Sequence, residues 1–124
     1  MRLETFIRKS LGMKAHTVVT AEDLPHGGLV AQIDRLPGRQ LCCGACGRPA
    51  PKVAGTRRPE RRWQDLALRD QPLWLVYAPY RVWCPTCGLR VERVPWAEKW
   101  QRVTHALARA VATLARTLDW TSVA

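Results

Sequence analysis

Apolar positions recur at helical spacing near both ends of the chain and alternate with polar ones between. Leu3, Phe6, Ile7 and Leu11, with Arg2, Arg8, Lys9 and Lys14 among them, predict a short amphipathic helix over residues 3–11. Two β-rich runs, 16–20 and 29–35, flank the segment AEDLPHGG, whose Pro25, Gly27 and Gly28 are turn formers, so a hairpin is expected there. Residues 73–83 form the longest β-rich run. Pro79 interrupts it and belongs at an edge or bulge, because proline donates nothing to a ladder. Leu89 and Val91 alternate with Arg90 and Glu92 as a further strand does, and Pro95 closes it. From Ala97 the period changes: Trp100, Val103, Leu107, Val111, Leu114 and Leu118 fall within about 80° of one another at about 100° per residue, which predicts a long helix with one buried face. Arg102, Arg109 and Arg116 lie on its opposite side, a stripe that suits phosphates or simply a solvated face.

These elements add up to an α+β fold, in which a small β domain is flanked by a short N-terminal helix and a long C-terminal one. Three segments follow from the punctuation: an N-terminal helix and hairpin (1–38), a cysteine-bearing ribbon with a basic loop (39–96), and a helical segment (97–124). The loop is RPAPKVAGTRRPERR at 48–62, with six cations, one acid and three prolines, and no regular element is expected to run through it.

Charge narrows the partner. Twenty Lys and Arg against ten Asp and Glu give a formal net charge of +10, and sixteen of the cations are arginine, whose planar fork matches phosphate and guanine edges. A polyanionic partner is therefore favoured, with Arg57, Arg58, Arg61, Arg62, Arg102 and Arg109 as candidate nucleic-acid contacts. No run approaches the ~18 apolar residues of a transmembrane helix, so no membrane role is expected.

The five cysteines carry the sharpest signal. No secretory leader is apparent at the N-terminus, which points to a reducing, cytoplasmic setting where paired cysteines are metal ligands or redox catalysts. Cys43-Gly-Ala-Cys46-Gly and Cys84-Pro-Thr-Cys87-Gly are two copies of C-x-x-C-G. The two-residue gap lets both thiolates of a pair reach one ion. A glycine after the second cysteine accepts the positive φ that turns backbone N–H groups toward the sulfurs. Two such knuckles complete a tetrahedron that zinc fits most readily, with iron the alternative. A thioredoxin-like dithiol needs a helix after the motif, and neither copy has a helical pattern there. Cys42 stands outside the spacing and reads as a buried filler. His16, His26 and His105 lack partners at ligand spacing and read as surface or half-buried residues. A site with four protein ligands leaves no position for activating water, so the expected metal is a single structural zinc that contributes on the order of 10 kcal/mol toward folding.

From the first knuckle onward the chain resembles the N-terminal region of the ISL-three family of insertion-sequence transposases. The likeness is carried by Cys43-Gly-Ala-Cys46-Gly, by RRWQDLALRDQPLWLVYAPYRVWCPTCGLRVERVPWA and by LDWTSVA. It implies a zinc ribbon followed by helix-turn-helix segments, both recognising the element's terminal repeats, and then an acidic-triad catalytic domain. The helix from Ala97 would begin the helix-turn-helix, truncated at Ala124 ahead of the catalytic domain, and no catalytic acid maps onto the chain. The expected function is a DNA-binding zinc-ribbon module, not itself an enzyme, acting on double-stranded DNA. A second copy of the chain is a further candidate partner. The alternatives are a protein-interaction or dimerisation module using the Trp-rich ribbon surface and the helix face of Trp100, Val103 and Leu107, and a small RNA-binding zinc ribbon. The six tryptophans could stack on bases, but aromatics beside so small a core are expected to pack into it.

Overall fold

The computed structural model describes residues 3–68, 71–98 and 101–117. Helix α1 (Leu3–Ser10) leads into an antiparallel pair, β1 (His16–Asp23) and β2 (Leu29–Arg35), in the hairpin the turn residues predict. Two short strands, β3 (Leu41–Cys42) and β4 (Pro49–Ala50), pair around the first cysteine knuckle. Then come β5 (Lys52–Arg57), β6 (Arg61–Leu68), β7 (Gln71–Tyr77), β8 (Tyr80–Cys84), β9 (Gly88–Val91) and helix α2 (His105–Thr117).

One sheet has the order β1-β2-β7-β6, in which β2 and β7 are parallel and the other neighbours antiparallel. A second runs β5-β8-β9, all antiparallel. Pro79 sits where the chain leaves the first sheet as β7 and enters the second as β8, so the break expected in the run 73–83 is the switch between sheets. Alternation builds the main core: Ala31 and Ile33 from β2, Leu73, Leu75 and Tyr77 from β7 and Trp63 from β6 pack with Ile7, Leu11, Met13 and Trp96. A smaller cluster of Leu41, Ala50 and Val82 lies beneath the knuckles, with Val53 and Tyr80 against it.

The expected α+β class with a long C-terminal helix is wrong, and the chain is mostly β. Among the described residues α2 begins eight positions later than Ala97 and spans 13 residues. The cause is the free edge of β6. Gln64 donates its N–H to the Arg102 carbonyl (2.9 Å) and accepts the Thr104 N–H on its own carbonyl (2.9 Å), so residues 102–104 cover that edge as an extended segment. Covering an edge satisfies a row of orphan backbone groups, which outweighs helical periodicity here. Thr104, fully buried, is then the N-cap: its Oγ1 accepts the Leu107 N–H (3.2 Å) and donates to Asp65 Oδ1 (2.6 Å).

The supposed basic loop is also corrected. Residues 48–62 contain β4, β5 and the start of β6, leaving Arg58, Pro59 and Glu60 as the connection. Lys52 and Val53 pair with Trp83 and Val82, and Arg57 with Tyr80, across an irregularity that contains Gly55. The prolines fall outside the paired positions of the second sheet, so they do not prevent it. The buried face expected on the C-terminal helix is absent at Val111 and Leu114, each 58% exposed. Trp100 and Leu118 of that pattern lie outside the described residues, as do Trp120 and the side chains of Leu3, Phe6 and Arg116.

Candidate functional site

Each cysteine knuckle closes a hairpin: Cys43 and Cys46 lie between β3 and β4, while Cys84 ends β8 and Cys87 lies in the turn to β9. The first is drawn onto the second by backbone pairing. Gly44 donates to the Val91 carbonyl (3.0 Å), Arg93 donates to the Cys42 carbonyl (2.9 Å), and Cys43 bridges to Glu92. The four sulfurs, two buried, one intermediate and one exposed, consequently all lie within 4.8 Å of one another. Cys46 Sγ and Cys84 Sγ are 3.6 Å apart, close to the ~3.8 Å edge of a tetrahedron with metal–sulfur bonds of about 2.3 Å. None of the five cysteines is in a disulfide. Gly47 and Gly88 follow the second cysteine of each pair with φ of 76° and 81°, in the region the knuckle requires.

The electrostatics suit a cation. The backbone N–H of Cys46, with that of Ala45 (3.3 Å to the Cys43 sulfur), holds the Cys43 thiol down at about 6 against the opposing effect of burial. N–H groups of Cys87 and Thr86 lower Cys84 in the same way. Cys87 is pushed up to about 12, chiefly by its interaction with the Cys46 sulfur. Four sulfurs this close share protons, and a divalent cation would reverse the preference that keeps Cys87 protonated. Cys42 lies outside the cluster, half-buried on β3 rather than fully enclosed.

The arginines named from sequence do not act as one patch. Arg58 and Arg61 line a cavity of about 680 Å³ together with Arg102, Arg93, His105 and Trp63, and Gly44 of the first knuckle lies on its wall. Burial lowers the Arg61 guanidinium from its usual range, and the neighbouring positive charge of Arg102 acts in the same direction. Arg57 is engaged elsewhere: it donates from Nε to the Ala78 carbonyl (2.9 Å), pairs with Asp34 (3.3 Å) and lies 4.2 Å over the Tyr80 ring. Arg62 lies over Trp74 (5.6 Å), and Arg109 is exposed on α2. Arg93 was missed in the sequence. It packs so closely on the first knuckle that a Cβ at Gly47 would fall 2.5 Å from its Nη1.

His16 is neither a surface nor a half-buried residue. It is 3% exposed, and its Nε2 lies 2.7 Å from Glu92 Oε1. Glu92 Oε2 accepts from the Tyr77 hydroxyl (2.5 Å) and the Tyr80 N–H (2.8 Å). Burial, reinforced by Glu92, pushes the Tyr77 hydroxyl far above its usual range. This network ties together β1, β7 and the chain after β9, whose Glu92 bridges to Cys43.

The chain is 34% identical to the transposase for insertion sequence element IS1001 of Bordetella parapertussis, over 68% of this chain and 20% of that protein. It is 31% identical to the transposase for insertion sequence element IS1557 in two strains of Mycobacterium tuberculosis, over 99% of this chain and 29% of theirs. The similarity is to insertion-sequence transposases. The chain thus spans between a fifth and under a third of the length of these relatives. No family model matches it, and no solved structure does. Among the described residues no helix is long and apolar enough to cross a membrane.

Proposed function

We propose that this chain is the zinc-ribbon DNA-binding module of an ISL-three type transposase, which engages the ends of an insertion element as a cytoplasmic protein. Zinc would be held by Cys43, Cys46, Cys84 and Cys87, and its contribution is to lock the two knuckles together. The observation that carries the reading is the convergence of Arg58, Arg61, Arg93 and Arg102 on one cavity beside the first knuckle. Glu60, Glu92 and Glu98 share the cavity wall with these arginines, and the exposed Arg62 and Arg109 extend the basic surface beyond it, which suits an anionic partner. On this reading the module binds DNA and cuts nothing, the chemistry residing elsewhere in the transposase, and residues from His105 onward open its helix-turn-helix.

The test is a titration of the metal-loaded chain with double-stranded DNA over a salt series. Four phosphate contacts predict a slope of roughly −3 to −4 in log affinity against log salt. Arg58→Glu and Arg61→Glu should each flatten it, and a duplex carrying the element's terminal repeat should bind more tightly than a scrambled one. Absence of duplex binding, or binding indifferent to salt, refutes the reading. Duplex RNA bound in preference to DNA would favour the RNA-binding alternative.

The exposure of Val111 and Leu114 on α2 favours a second reading, in which that helix packs against a second copy or another protein. Light scattering over a concentration series tests it, with Val111→Lys/Leu114→Lys expected to abolish any dimer.

A further inference from the structure

Four tryptophans lie among the described residues, and they divide sharply. Trp63 and Trp96 are closed off in the core at 0% and 1% exposure, and Trp74 is half-buried under Arg62. Trp83, in the middle strand of the β5-β8-β9 sheet, is 47% exposed.

The register defines its surroundings. Lys52 on β5 and Leu89 on β9 stand directly opposite Trp83 on either side, so the three form a row across one face of the sheet. Arg81 stands two residues along β8, level with Val91, on that same face. The intervening Val82 and Cys84 point the other way and are buried. Directly opposed residues have Cβ atoms about 5 Å apart, so the Lys52 side chain is rooted beside that of Trp83. Among the described residues no carboxylate is ion-paired with Lys52 or Arg81. The face therefore offers a half-exposed indole, apolar shoulders at Leu89 and Val91, and two cations.

We propose that this face binds single-stranded DNA, with one unpaired base stacked on Trp83 and its flanking phosphates taken by Lys52 and Arg81. The proposal rests on the DNA-binding reading above but concerns a different surface and a different form of DNA. A flat aromatic ring meets a base only when the base is free of its own stack, so the face selects unpaired strand over duplex. Recognition is by the π-face and the charge, without base identity.

The experiment is fluorescence anisotropy of the metal-loaded chain with a labelled twelve-residue oligothymidylate, the same length of abasic phosphodiester strand, and a duplex. Trp83→Ala should weaken oligothymidylate binding between about 5- and 100-fold, the range that stacking of one base spans. Trp83→Phe should stay within about threefold of wild type, and duplex affinity should change less than about twofold in either variant. Wild-type protein should discriminate against the abasic strand by the same factor, a comparison that requires no substitution to fold. If neither strand nor duplex is bound, the DNA-binding reading itself fails and this inference with it. If duplex is bound but abasic and thymidylate strands are equivalent, or Trp83→Ala weakens both forms alike, only this inference is overturned and the face belongs to a protein contact.

Discussion

Gly44 and Val91 are locked together by the main chain: the Gly44 N–H donates to the Val91 carbonyl at 3.0 Å, and a Cβ at position 44 would fall 2.2 Å from that oxygen. The glycine between the first two cysteines is thus required by the approach of one knuckle to the other, and the four cysteine sulfurs can converge only because it has no side chain.

Gly44→Ala should therefore destabilise the chain by about 1–3 kcal/mol, the range for inserting a methyl group where none fits, and weaken metal retention against a competing chelator. Gly55→Ala, where a Cβ meets nothing within 4 Å, is the control and should be close to neutral. Denaturant midpoints of the two variants decide the matter. Equal midpoints would mean the knuckles can separate without penalty.

Metal uptake should be stoichiometric at one zinc per chain, lost in Cys84→Ser and unchanged in Cys42→Ser. Proton release adds a finer check. At pH 7.5 Cys43, held at about 6, already lacks its proton, whereas Cys87, at about 12, gives one up on binding. Fewer than four protons should therefore be released, as read by an indicator dye. As pH falls through 6, Cys43 becomes protonated, so the count rises while affinity drops. Affinity that is flat between pH 5 and 7 would contradict the ligand set.

Thr104→Ala removes the cap of α2 and the hydroxyl that satisfies the buried Asp65 carboxylate. The cap alone contributes about 1 kcal/mol, and an orphaned buried acceptor adds about 1–3 kcal/mol. Thr104→Ser should recover most of the loss in a urea titration. If alanine and serine were equivalent, neither hydrogen bond would matter.

The two sets of knuckle cysteines, the first hairpin and the Pro79 break were legible because each depends on neighbours in sequence: a two-residue gap, a glycine turn, a missing N–H. Strand β6 was hidden. Its inward positions are Trp63 and Asp65, and an aspartate reads as outward until the Thr104 hydroxyl, far along the chain, is seen to satisfy it. The same holds for His16 and Glu92, each an unfavourable core residue alone and compatible with burial only as a pair. The late start of α2 was hidden because the apolar period from Trp100 to Val111 is genuine. What overrode it was an unpaired sheet edge that no local window contains.

The His16, Glu92 and Tyr77 network should reveal itself at high pH. Tyr77 is raised above the value near 10 of an unfolded tyrosine. Its contribution to stability is therefore complete below about pH 10 and falls away above it, as the unfolded chain ionises first. Tyr77→Phe should lower stability at pH 7 by about 1–3 kcal/mol, since Glu92 loses a donor, and should remove part of the alkaline slope. A wild-type thermal midpoint unchanged between pH 9 and 11 would exclude this coupling.

The parallel pairing of Leu29 with Leu73 closes a long stretch of chain that holds the whole first knuckle, β5 and β6. Such closures are slow, because much chain freedom is lost before any ladder forms. Until it happens, the β1–β2 hairpin and the β6–β7 hairpin each present an unpaired edge. An ion that joins Cys43 to Cys84 brings β8, and with it the end of β7, back to the start of the ribbon, which shortens the search. If the cluster takes up its ion, metal supply during synthesis would govern how long those edges stay open, and chain made without it is expected to associate edge to edge before it can fold.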